Sequence, residues 1–558
     1  MSLIMQLKQK LSLVNFQLPS CLSLILLITL VVFHKMHPFN LLNPNYVNWI
    51  YREDNSLLDI GQQVAAQNSF LSQDWRFPPG TLSNLGVWGN NSLLFSDAFP
   101  LTAYPIKILN SIFDFHNSTM QFYGINVFFG VLVTVSSAFG FVYWECKSIL
   151  VASFTSFTIA TLPQIFWVWS WPSLQIQGFL ILAFWLCRLK DLKIKKFGWP
   201  ALLFAVSMTH TYFVPMIGLF FLADLIISKK IIGKSTIFFK LIVGTNFVFL
   251  GTFLGGGFNA GLRGSSTGLD SIGLYASDWL IYFNSAGISA MVLPVTSIKN
   301  LTGFSYPGVG VFLLLLIAIM IKVQRKVIFT KSKNETVSSL FDVKYLFIAG
   351  FILFVVSIGP SFQFFGQEHL ITENEFFLTP FSIFRVHSRF SWALPLFAII
   401  WAVLILSRSF SHKVVVVIFA LLLGVQQLEL GNYYQNQKQV LSRLFASSDV
   451  SPGVLSSKLN PSIPMYFLPG FPSPLEISWR SSFMDFISEG GQLVNFAYIN
   501  RFSTKRIQEA NERIAEMSQL STFESNSYLM VQNKSFVGIT QRHKLIEQVE
   551  GWQLFYIY

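Results

Sequence analysis

Charge is scarce in this sequence. Asp, Glu, Lys and Arg make up only 12% of its 558 residues, about half the share found in soluble domains, which excludes an ordinary water-soluble globule and a disordered chain alike. Cysteine is nearly absent. Cys21, Cys146 and Cys187 all fall in or beside apolar segments, so the parts outside them have no disulfide framework. Ionisable residues are missing from the middles of the long apolar runs, since Asp224 and Glu429 lie close to run ends. Ion-coupled transporters carry such groups at midplane, and the pattern argues against that class. Phosphate-binding glycine loops, metal-ligand spacings and internal repeats are also lacking.

Apolar surface is what the chain has in abundance. Hydrophobic residues reach 52%, gathered in runs of about 18 to 22 residues between basic clusters, as in a polytopic α-helical membrane protein. Transmembrane helices are expected near 12–33, 122–143, 148–162, 174–187, 197–209, 212–228, 236–254, 305–322, 343–359, 391–407 and 414–430. The net charge of +12 would suit nucleic acid, but the lysines and arginines sit between the runs. With a cytoplasmic N-terminus most of them, including the cluster Arg188-Lys190-Lys193-Lys195-Lys196, fall on one side. The balance is therefore topological, and no nucleic-acid partner is expected. The first run exits through Val32-Phe33-His34-Lys35 without a small-residue cleavage site, which indicates an uncleaved helix.

The expected fold is an all-α polytopic membrane protein of about eleven transmembrane helices. Residues 1–430 form the membrane domain, including a long external loop over 34–121. Residues 431–558 form a small extracytoplasmic α/β domain, with helices over 479–488 and 504–520 and strands over 493–499, 527–532 and 553–558.

The candidate chemistry lies on the external side. Asp59 sits in a helical apolar–polar pattern with Gln62 and Gln63 following. Asp97 sits between Phe95 and Phe99, just ahead of Pro100. A carboxylate at a protein–membrane boundary can act as a general base on a hydroxyl. The structural alternative is that both are loop acids or caps, with Asp97 the N-cap of a helix beginning at Pro100. Phe384-Arg385-Val386-His387-Ser388-Arg389 places two arginines four apart around a histidine. They would form one cationic face suited to a phosphate, or an anchor for lipid head groups. His210 is expected at the external end of a tight hairpin, as a hydrogen-bonded structural residue or a site residue. Arg263, in the glycine-rich stretch 255–265, and Asp278 could line a polar cavity. Trp167, Trp169 and Trp171 read as an aromatic belt or as a sugar-stacking surface.

Several short motifs bear on family: Phe77-Pro78-Pro79-Gly80, Phe95-Ser96-Asp97-Ala98-Phe99-Pro100-Leu101, Gly303-Phe304-Ser305-Tyr306-Pro307-Gly308-Val309-Gly310, Phe384–Trp392 and Gly491–Arg501. Together with Asp59 they resemble the GT-C superfamily, polytopic glycosyltransferases that use polyprenyl-phosphate-linked sugars, and within it a bacterial branch. The resemblance implies a bacterial inner-membrane transferase with Asp59 catalytic and Asp97 as second acid. It also implies that Arg385 and Arg389, with His387 beside them, hold the donor phosphate. The acceptor would be an envelope glycan or a protein. A divalent ion, Mg or Mn, could share the cationic role with Asp59 and Asp97 as oxygen ligands. Two further classes remain open: a lipid-linked glycan flippase or transporter, and a catalytically silent membrane scaffold.

Overall fold

A computed structural model describes residues 2–51, 58–85, 91–116, 118–189, 191–228, 233–258, 275–295, 303–328, 338–364, 367–372, 374, 378, 381, 384, 386–446, 459–468, 486–492, 512, 516, 525–532, 543–549 and 552–558. The chain is mostly helical. In order come α1 (Ser2–Met36), α2 (Leu58–Ser72), α3 (Pro100–Phe113), α4 (Tyr123–Cys146), α5 (Ile149–Ala160), α6 (Pro163–Trp167), α7 (Pro172–Gln175) and α8 (Gly178–Arg188). Then follow α9 (Leu192–Ser207), α10 (Phe213–Ser228), α11 (Lys234–Leu254), α12 (Val309–Ile328), α13 (Ser338–Ile358), α14 (Ala393–Ser409) and α15 (His412–Leu444). Among the described residues, five stretches are long and apolar enough to cross a membrane: Leu18–Met36, Tyr123–Cys146, Lys234–Leu254, His387–Ser409 and His412–Leu444. Shorter apolar helices accompany them, among them Ile149–Ala160 and Phe213–Ser228. On α11 the side chains of Phe238, Phe239, Ile242, Phe249 and Leu250 all face outward, a surface suited to lipid and not to water.

The helix expected to stop at 430 instead runs on to Leu444. Its polar second half is held by packing: Tyr433, Tyr434, Leu441 and Leu444 are buried, and the Tyr434 hydroxyl donates to the Thr161 carbonyl at 2.6 Å. Beyond it lies a four-stranded sheet in the order β1 (Met465–Leu468), β2 (Ser527–Gln532), β4 (Trp552–Ile557), β3 (His543–Val549). β1 pairs parallel with β2, and the other pairs are antiparallel. β2 and β4 match expected strands. The strand expected over 493–499 and most of the two expected helices lie outside the described residues.

The long first connection is folded against the bundle by backbone contact. Leu94 N–H and the Ser92 hydroxyl both donate to the Gly255 carbonyl, at 3.1 and 3.0 Å. A Cβ on Gly80 would lie 2.5 Å from Gly256 N. The glycines after α11 thus allow close approach of two segments of the chain. Arg263, further along that stretch, lies outside the described residues.

Within this connection α3 closes the end of α2. Lys107 is buried, and its ammonium donates to the Phe70 and Gln73 carbonyls at the end of α2 while lying over the Phe70 and Trp75 rings. These carbonyls have no partner further along the helix, and the cation completes them. Burial pushes the Lys107 pKa down to about 8, with Asp74 opposing and Arg76 adding to the shift. Above that value the folded chain sheds a proton that the unfolded chain keeps up to about 10.5. Stability should therefore rise with pH between about 8 and 10.5, relative to Lys107→Gln. Thermal midpoints of the two proteins across that window check the sign.

Candidate functional site

The backbone at Asp97 is bent twice, because Asp97 (φ 55°) and Phe99 (φ 54°) both adopt the left-handed conformation that side-chain-bearing residues seldom take. The consequence is a correction: Phe99, not Asp97, occupies the N-cap position of α3, and no side chain caps that end. Leu101 N–H donates to the Met208 carbonyl at 3.0 Å, which ties the start of α3 to the end of α9. Asp97 Oδ1 then lies 3.4 Å from His210 Nε2, the imidazole almost wholly enclosed and the carboxylate 18% exposed. The backbone N–H of Tyr212 donates to His210 Nδ1 at 3.3 Å. A nitrogen that accepts a hydrogen bond carries no proton, so in the neutral ring the proton sits on Nε2, the nitrogen 3.4 Å from Asp97 Oδ1.

Tyr212 carries the arrangement onward. Its ring lies 4.9 Å from the Arg389 guanidinium carbon, which is also 5.3 Å from the Trp171 ring. Its hydroxyl accepts from Val386 N–H at 2.7 Å. Trp171 follows Ser170, whose carbonyl accepts from Gln63 of α2 at 2.9 Å. One turn on, Gln67 donates to the Ala98 carbonyl at 2.9 Å, next to Asp97. The contacts close on themselves: Asp97, His210, Tyr212, Arg389, Trp171, Gln63, Gln67 and back. Asp59 is half-buried in the first turn of α2. It lies one turn before Gln63, so it shares the helix face that the ring uses.

Arg389 owes its position to the motif at 303–310. A Cβ on Gly303 would lie 2.2 Å from the Ser388 side chain, and Ser305 and Ser391 hydroxyls meet at 2.5 Å. Trp392 donates to the Phe304 carbonyl at 3.2 Å. The other half of the motif grips α15: the Tyr306 hydroxyl and the Val309 backbone N–H donate to the two oxygens of the buried Glu429 carboxylate, at 2.5 and 2.6 Å. Gly303→Ala should therefore displace the arginine turn and cost about 1–3 kcal/mol through overpacking. A lowered thermal midpoint checks the cost.

Of the arginine segment, His387 and Arg389 lie among the described residues, with different neighbours. His387–Trp392 forms a 3-10 turn of three residues per turn, and this sends His387 against Gly359 and the Phe381 ring while Arg389 meets Tyr212 and Trp171. Arg385 lies outside the described residues. Buried Asp278 accepts from Leu280 N–H at 2.7 Å and so closes its own turn. The three tryptophans are half-buried and each meets an inner neighbour: Trp167 the Phe304 ring, Trp169 the Phe445 ring and Trp171 the Arg389 guanidinium. Tyr212 is the site residue that sequence reasoning missed, because an aromatic beside an apolar run looks like an interface anchor until its neighbours are known. Among the described residues no three His, Cys, Asp or Glu side chains come together as a metal-ligand set.

With this geometry in hand, comparison with protein families gives one match, to a domain of unknown function, DUF6311, over residues 26–431. The chain belongs to the DUF6311 family. No curated protein matches it. The family region of this DUF6311 protein takes in every residue of the contact ring and stops within α15, ahead of the four-stranded sheet.

Proposed function

We propose that this DUF6311 protein is a membrane glycosyltransferase. It moves a sugar from a polyprenyl-phosphate donor to a hydroxyl of an envelope glycan or protein. The protein would cross the bacterial inner membrane eleven times, with its N-terminus cytoplasmic and its C-terminal domain on the far side with the site. The observation that carries the reading is the closed ring, in which acidic, imidazole and guanidinium groups from four distant segments meet at the end of the bundle bearing the long first connection.

The chemistry is an inverting displacement. The acceptor oxygen attacks the anomeric carbon, the bond from that carbon to the phosphate oxygen breaks, and polyprenyl phosphate leaves with the electron pair. Asp59 takes the proton of the attacking hydroxyl. Asp97, held by His210, orients that hydroxyl. Arg389 on its aromatic cradle, with Arg385, offsets the charge gathering on the leaving phosphate.

The test is glycan analysis of the host envelope with the protein deleted, restored, and restored as Asp59→Asn. A sugar lost on deletion, returned by the native chain and not by Asp59→Asn supports transfer. Full restoration by Asp59→Asn overturns it. Movement of a lipid-linked sugar across proteoliposomes without transfer would assign the chain to the flippase class instead.

A further inference from the structure

The passage between α5 and α8 breaks the regular helices of the bundle. α5 and α8 have 12 and 11 residues, about 18 and 16 Å of helix, too short to cross an apolar layer of about 30 Å. Residues 161–177 join their ends as two single-turn helices, α6 and α7, separated by turns. The passage touches α4 well below that helix's first residue. Cβ atoms built on Gly130 and Gly178 would meet Gln175 and Thr134 respectively, and Gly130 and Thr134 lie roughly 10 to 17 Å along α4. Irregular backbone at such depth is tolerated where it is enclosed by protein or lines a wet cavity.

Its side chains distinguish these cases. Gln164, Ser173, Gln175 and Gln177 are all at least 99% buried. Gln164 donates to Gln177 Oε1 at 2.6 Å and to the Trp392 carbonyl at 3.4 Å. Among the described residues, Gln164 Oε1, Gln177 Nε2, the Ser173 hydroxyl and both ends of the Gln175 amide meet no partner. Native interiors leave very few such groups, and several together call for a missing partner. The unmet set mixes donors and acceptors. Turning over the Gln164–Gln177 pair changes nothing, for one donor and one acceptor are left either way. A cation would use only the oxygens and an anion only the N–H groups. A hydroxyl, which both donates and accepts, answers the whole set, and no charged side chain is among the four.

We infer that this buried amide layer is a binding site for uncharged hydroxyl groups, supplied by enclosed water or by the ring hydroxyls of a sugar. The inference rests on the layer's own hydrogen-bonding inventory and stands whether or not the chain transfers sugars.

The experiment is hydroxyl-radical labelling by X-ray radiolysis of the full chain in lipid nanodiscs, read at Trp392 by mass spectrometry. Trp392 is fully enclosed, so a label there reports water held beside it. The native chain should be labelled, and Gln175→Leu, which removes both unmet ends at similar volume, should lose the label. Addition of n-octyl β-D-glucopyranoside separates the sources: protection means that sugar hydroxyls displace the water, unchanged labelling means that water is the resident, and both support the site. An unlabelled native Trp392, or a label indifferent to Gln175→Leu, overturns it. So does protection by sodium or potassium chloride over choline chloride, which would make the layer a cation site. Should Gln175→Leu fail to accumulate, Ser173→Ala is read against the same outcomes.

Discussion

Asp59→Asn should lower the rate of sugar transfer from a polyprenyl-phosphate donor by about 10²- to 10⁴-fold, the range that a positioned general base supplies. Asparagine keeps the shape and loses the capacity to take a proton, so the loss should fall on kcat while donor affinity changes little. Asp97→Asn should cost about 10²-fold, because the acceptor hydroxyl is then held loosely rather than left without a base. His210→Ala should match Asp97→Asn, since Asp97 Oδ1 faces His210 Nε2. The double variant should be no slower than either single one, as expected of two groups acting as a unit. Initial rates with radiolabelled donor measure all four. Additive losses at Asp97 and His210 would show that the pair does not act together, and an Asp59→Asn enzyme at full rate would remove the proposed base.

The second large effect lies at the opposite end of the bundle. The ammonium of Lys195 in α9 pairs with the Asp224 carboxylate in α10, and the Trp199 indole donates to the other oxygen of that carboxylate at 2.8 Å. Lys195 and Asp224 are buried at 5% and 1% exposure. Asp224→Ala strands a buried cation and an indole N–H, and should cost about 3–5 kcal/mol. Replacing both charges, as Lys195→Met with Asp224→Leu, should recover much of that loss, because two desolvation costs vanish together, with about 1–3 kcal/mol left for the unmet Trp199 N–H. Thermal unfolding in nanodiscs of the two single variants and the double one gives the comparison. A double variant as unstable as Asp224→Ala would mean that the pair's packing, not its charge, is what matters.

Lys195 shows where reading by sequence fails. It stands in a run of basic residues that, counted together, appear to mark one side of a membrane. Nothing local separates it from Lys193 and Lys196, both outside the hydrogen bonds that Asp224 accepts. Only α10, arriving with Asp224, draws this one lysine inward. The helix at 414–430 fails differently, for its apolar run ends where the helix does not. The polar continuation to Leu444 is held by buried tyrosines and leucines that a hydropathy window averages away. The same limit applies to the Gly303–Gly310 motif, whose glycines make room for Ser388 and Gln426, partners more than eighty residues off.

The sequence by itself determined that the chain is mostly helical and rich in apolar runs, and that its long first connection carries acids. Those properties follow from the composition and period of contiguous residues, and no distant partner alters them. The tertiary structure alone decided which charges meet. It set Asp97 against His210 instead of at a helix cap, turned His387 away from Arg389, and laid Arg389 between Trp171 and Tyr212. Such pairings are fixed by how separate helices cross and where the backbone bends, and neither is encoded in the spacing of residues along one segment.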